Sequence, residues 1–80
     1  PERFARHARH YALQRCPSLK GNAAFERAVK RVGQASYASV RFAATHSFFD
    51  GRKQAVERRS ERAFKALWKI EGRRCPTGGR

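Results

Sequence analysis

The sequence predicts an all-α chain. It has long basic helices in a helical hairpin, with a short helix before them, as an extended arm rather than a compact domain. Three observations predict this. Apolar residues recur at helical spacing in three separate stretches. Turn-forming residues punctuate those stretches at Pro17–Gly21 and at Asp50-Gly51. No stretch carries the sustained alternation of a strand.

The first element spans about residues 2–15. Phe4, Ala8 and Tyr11 recur at i, i+4, i+7, with Arg6, Arg9 and His10 on the other side. Pro17 biases Cys16 away from helical angles and ends the element. Residues 18–22 form a loop with Gly21 as its flexible point.

The second element spans 23–47. Asn22 is placed to cap it, and Glu26 sits in the first turn, where negative charge suits the helix dipole. At 100° per residue, Phe25, Ala28, Val29, Val32, Ala35, Ser36, Ser39, Val40 and Ala43 share one half. Arg27, Lys30, Arg31, Gln34 and Arg41 share the other. Phe48 and Phe49 fall off the apolar half. Either the helix has ended there, or these rings are exposed for stacking.

The third element spans 52–71, and its pattern is the clearest. Val56, Ser60, Ala63, Leu67 and Ile70 fall in one narrow arc. Arg58, Arg62, Lys65, Lys69 and Arg73 form a stripe on the opposite side. Phe64 and Trp68 flank the arc; they could form a small core with Leu67 and Phe25 or stack on unpaired bases, and for Trp68 core or helix packing is expected. Gly72 is a natural stop, and residues 72–80 are expected to trail as a flexible tail.

Length and charge bound the function. Eighty residues hide little surface, and 19 Lys and Arg against 6 Asp and Glu give a formal net charge of +13. Such self-repulsion opposes compaction and argues against a free-standing enzyme. No apolar run approaches the ~18–20 residues of a membrane span. The balance favours a polyanionic partner, of which nucleic acid is the commonest. With 40% hydrophobic and 11% aromatic residues, the chain is too apolar for a simple basic tail. The expectation is a helical protein that borrows its core from a partner and is only partly helical alone.

The cationic candidates are Arg6, Arg9, His10, Arg27, Lys30, Arg31, Arg41, Arg52, Lys53, Arg58, Arg59, Arg62, Lys65, Lys69, Arg73 and Arg74. A linear cationic face can follow a phosphate backbone. Candidate packing residues are Val56, Phe64, Leu67 and Trp68. Cys16 and Cys75 are expected as free thiols, a single bridge being the alternative. His7, His10 and Cys16 lack a nearby fourth ligand, so no metal is expected. No phosphate loop, nucleophile elbow or paired-carboxylate spacing is present, and neither enzymatic activity nor a cofactor is expected. The Arg-rich first sixteen residues also read as a transit peptide; if retained, they should do structural work.

Two runs carry a resemblance. They are Arg6-His7-Ala8-Arg9-His10-Tyr11 and Arg58-Arg59-Ser60-Glu61-Arg62-Ala63-Phe64-Lys65-Ala66-Leu67-Trp68. Together they resemble the bacterial-type large-subunit ribosomal protein L-twenty family, especially its mitochondrial members. Val40-Arg41-Phe42-Ala43 stands at the right distance for the family's middle element, and Phe25-Glu26-Arg27-Ala28 is a competing match. The likeness covers residues 6–70, with gaps, and is most specific over 62–68. It departs at Glu57 and Glu61, where the family is almost wholly basic, and after Trp68, where the family continues into a globular domain.

The resemblance implies no enzymatic activity. It implies a structural constituent of a large ribosomal subunit, mitochondrial by its composition. Its partners would be large-subunit ribosomal RNA and neighbouring ribosomal proteins, with no small-molecule substrate. By match, Arg9, His10, Arg41, Arg58, Arg59, Arg62 and Lys65 would contact RNA. Leu67 and Trp68 would lock the hairpin or pack on a neighbour. One competing reading is a small accessory subunit of another organellar membrane complex, contacting protein and anionic lipid. Another is a basic-helix DNA-binding protein, disfavoured because no heptad zipper follows the basic stretch.

Overall fold

The computed structural model describes residues 2–46 and 49–75. Helix α1 runs Glu2–Arg15, α2 Ala23–Thr45 and α3 Lys53–Arg74, with a 3-10 turn at Pro17–Leu19 between the first two. No strand occurs among the described residues. The chain is all-α: α2 and α3 form a helical hairpin, and the short α1 packs along α2. The molecule is elongated, 41 × 20 × 19 Å.

Local chemistry sets the boundaries. Glu2 in the first turn of α1 and Arg15 in its last both suit the dipole. Pro17 opens the 3-10 turn, where its fixed φ is already helical. Gly21 then takes φ +81°, a left-handed backbone that glycine adopts without strain. Asn22 caps α2, its side chain accepting from the backbone N–H of Phe25 at 2.9 Å.

Helix α2 ends at Thr45, two residues short of the expected 47, and His46 closes it through its N–H to the carbonyl of Phe42. Ser47 and Phe48 lie outside the described residues. Helix α3 starts at Lys53, one residue late, because Arg52 is the cap residue.

Helix α3 also ends later than expected. Gly72 is not a stop; it lies inside the helix, which continues to Arg74. The extra turn carries Cys75 to Cys16, and the two are joined in a disulfide with Cα atoms 5.9 Å apart. This corrects the expectation of free thiols. It also corrects the expected tail, since residues 72–75 are ordered on the body of the fold. Residues 76–80 fall outside the described residues.

The core sits at the bridged end. Ala12, Cys16, Leu19, Phe25, Ala28, Val29, Val32 and Leu67 form one buried cluster. Ala5, Ala8, Leu13, Ala63, Phe64, Ile70 and Cys75 pack against it. At 1.5 Å per residue α1 is about 21 Å long and α2 about 34 Å, so α1 covers little more than half of α2. The buried residues of α2 accordingly stop at Ala35. Beyond it Val40 is exposed, although the sequence places it on the apolar half. At the bridged end, then, the chain has a core of its own; it does not wholly borrow one.

Candidate nucleic-acid interface

The outer face of α3 is the most coherent cationic surface. Arg58, Arg62, Lys65, Lys69 and Arg73 are all exposed. They lie opposite the side that buries Leu67 and Glu71, as the 3.6-residue repeat requires. None of the five has a carboxylate within ion-pair distance among the described residues. Arg74 is exposed beside Arg73 in the last turn of α3.

A second feature lies between α2 and α3. A groove there is lined by Arg31, Gln34, Ala35, Arg59, Arg62, Ala63 and Ala66. Three of its seven lining residues are alanine, three are arginine, and none is acidic. Arg59 thus faces the hairpin seam, while Arg62 joins the groove to the outer stripe. Arg27, one turn before Arg31, is exposed on α2.

A third cluster lies on α1, where Arg3, Arg6, His7 and His10 surround one shallow depression. Sequence reasoning selected Arg6 and His10. Arg3 and His7 belong with them, and their one-turn spacing from Arg6 and His10 was the available signal. Lys30 lines a different, partly apolar groove with Glu2, Ala5, Glu26, Val29 and Gln34.

Three expected cations pair with carboxylates at or near the surface. Arg9 Nε donates to both carboxylate oxygens of Glu26, at 2.9 and 3.2 Å. That bond and the attached charge hold the Arg9 pKa above its ordinary value. Arg52 clamps Asp50 through Nε at 3.0 Å and Nη2 at 2.7 Å, and sits 5.8 Å from the centre of the Phe42 ring. Lys53 lies 3.6 Å from Glu57. Arg9, Arg52 and Lys53 thus each have a partner within the fold, unlike the cations of the outer α3 stripe. Arg41 is exposed and donates to the Tyr37 hydroxyl at 3.3 Å.

Asp50 organises the turn into α3. Its carboxylate accepts from the Arg52 backbone N–H at 2.9 Å as well as from the guanidinium. The guanidinium hydrogen bond, then the backbone one, hold its pKa far below the ordinary carboxylate range, with the charges of Arg52 and His46 adding to this. His46 stacks on Phe42 with ring centres 4.0 Å apart.

The expected packing residues divide. Leu67 is fully in the core, and Phe64 packs against it. Val56 is half-buried. Trp68 is 55% exposed, touching Phe64 with ring centres 5.8 Å apart. Its place at the edge of the apolar arc swings it out of the hairpin seam, so it packs on Phe64 and not in the core. Phe49 is 90% exposed beside the turn.

Among the described residues no three His, Cys, Asp or Glu side chains converge as a metal site, and Cys16 is committed to the bridge. No described helix is long and apolar enough to cross a membrane. Comparison of the chain with protein-family models, with curated proteins and with solved structures finds no match.

Proposed function

We propose that this chain is a non-enzymatic structural protein of a large ribosomal subunit, mitochondrial in its setting, that binds and braces ribosomal RNA. The observation that carries the reading is the outer face of α3. Five exposed cations run along it, and among the described residues none lies within ion-pair distance of a carboxylate. A folded chain gains nothing internal from that arrangement. Facing crowded phosphates, the same stripe releases counterions and gains affinity. The elongated hairpin suits insertion between RNA segments, with the bridged core as its anchored end.

The test is the salt dependence of binding to large-subunit ribosomal RNA. If about eight phosphates are neutralised, log affinity against log salt has a slope near −6 to −7. A slope shallower than about −2 would sink the reading. Arg58→Ala with Arg62→Ala should weaken binding uniformly across RNA sequences. Crosslinks from the native particle should map to large-subunit RNA through the Arg58–Lys69 face.

The bridge favours a second reading. Disulfides form and persist in oxidising compartments. A stapled basic helical chain therefore also suits an accessory subunit on the oxidising side of an organellar membrane complex, set against protein and anionic lipid. Nuclease treatment of the native particle separates the two. An RNA-held chain is released, and a protein- and lipid-held one stays.

A further inference from the structure

We infer that the groove between α2 and α3 is a discrete phosphodiester-binding site, in which Arg31 grips one RNA phosphate from the α2 bank and Arg59 and Arg62 grip it from the α3 bank. The inference rests on the RNA-binding reading and adds a specific place and geometry to it.

Three arguments carry it. The first is charge. Elsewhere the fold spends its few acids on arginines, in the pairs Arg9–Glu26, Arg15–Glu71 and Arg52–Asp50. This groove is lined by three arginines, Arg31 from α2 and Arg59 and Arg62 from α3, with no acid in its lining. On a helical wheel Glu57 and Glu61 fall about 160° from Arg59, on the far flank of α3. Like charges lining one groove repel one another, and an anion bound there is attracted to all of them.

The second is shape. Ala35, Ala63 and Ala66 are short where they line the groove, so a phosphate can approach while the longer arginine side chains reach over it. Gln34, at the rim, brings an amide that can donate to a phosphate or sugar oxygen.

The third is chemistry. Every cation in the groove is arginine, whose planar fork binds two phosphate oxygens at once. The outer stripe, by contrast, mixes in Lys65 and Lys69, which act as point charges. Arg62 belongs to both surfaces, so one backbone can run along the stripe and drop a phosphate into the groove.

The test uses the full oxidised chain and a short RNA duplex, with affinity measured by anisotropy across a salt series. Arg31→Lys with Arg59→Lys keeps the charge and removes the forks. Affinity should fall roughly tenfold, with the salt slope nearly unchanged. Lys20→Arg, exposed in the loop before α2 and outside both cationic surfaces, is the control and should change affinity little. Titration of free inorganic phosphate into the labelled wild-type chain should shift the side-chain N–H signals of Arg31, Arg59 and Arg62 together. Helicity by circular dichroism should be unaltered in the Lys variants.

Wild-type RNA binding with a steep salt slope, unaffected by the Arg31/Arg59 pair, overturns the groove and leaves the ribosomal reading standing. No RNA binding by the wild type overturns both. Tighter binding to cardiolipin-containing vesicles than to RNA, lost with the same two arginines, overturns the RNA assignment in favour of lipid phosphate.

Discussion

Arg15 and Glu71 meet at 2.7 Å across 56 residues of sequence, beside the disulfide that joins their neighbours at Cys16 and Cys75. Glu71 is 5% exposed and lies one turn before Cys75, whose N–H donates to the Glu71 carbonyl. The pair therefore closes the end of the core where α1, the 3-10 turn and α3 converge. Removing Arg15 leaves a buried carboxylate without its partner. Arg15→Ala should cost about 2 kcal/mol, more than a surface ion pair is worth. Urea unfolding at neutral pH checks this, and a loss below about 0.5 kcal/mol would show that the carboxylate finds water instead.

The bridge should matter more than any single side chain. It closes a loop across 59 residues, and constraining such a loop in the unfolded chain is worth about 4 kcal/mol on the chain-entropy account. A small core cannot easily spare that. The oxidised chain should melt cooperatively, whereas Cys16→Ser with Cys75→Ser, or treatment with a reductant, should leave partial helicity without a sharp transition. Thermal circular dichroism of the oxidised and reduced chains decides it, and identical melts would remove the bridge from the account of stability.

What the sequence made legible follows from the range of the interactions. The periodic apolar half of α2 marked Phe25, Ala28, Val29, Val32 and Ala35, and all five are buried. It also marked Val40, which is 55% exposed, because periodicity says which side faces inward and not whether another helix reaches it. The stop at Gly72 failed for a tertiary reason. Local preference favoured ending α3, and the connection of Cys75 to Cys16 lies beyond any local signal. The same limit applies to the candidate site. The α3 stripe is a property of one helix and was legible from spacing. The Arg31–Arg59–Arg62 groove depends on how α2 and α3 align, which no spacing within either helix specifies.

Asn22 holds the entry to α2. Its carboxamide oxygen accepts from the N–H of Phe25, the largest fully buried side chain. Losing the cap exposes an unsatisfied donor at the start of the helix that supplies half of the buried cluster. Asn22→Ala should cost about 1 kcal/mol, and Asn22→Asp should keep most of the stability. Chemical denaturation of the three chains measures both differences.

Asp50 makes the α2–α3 turn sensitive to acid. Its folded pKa lies below its ordinary value, so its contribution is present in full above about 3.9, the value for an unfolded Asp. The contribution is lost as pH falls through the lower, folded value. Between pH 7 and 5 the turn should be unchanged; well below pH 4 the Arg52 clamp should loosen. Protection factors at Arg52 and Lys53, taken relative to intrinsic exchange at each pH, should fall in acid, and in Asp50→Ala they should be low at every pH. Equal protection in that variant at neutral pH would show that the backbone bond from Lys53 to the Asp50 carbonyl suffices.

The internal ion pairs predict which arginines count in RNA binding. Arg52 is already neutralised by Asp50 through two guanidinium contacts, whereas Arg58, six residues on, has no carboxylate partner among the described residues. An arginine whose charge is balanced within the fold displaces few counterions when it approaches a phosphate. Arg58→Ala should therefore reduce the magnitude of the salt slope by about 0.7–0.9, one phosphate's worth. Arg52→Ala removes one positive charge as well, yet its effect on the slope should be much smaller. It should appear instead as faster exchange in the first turn of α3. Equal slope losses for the two variants would show that RNA competes successfully with Asp50. The fold would then be trading its internal pairs for phosphate contacts on binding, and Arg9, held by Glu26, should behave in the same way.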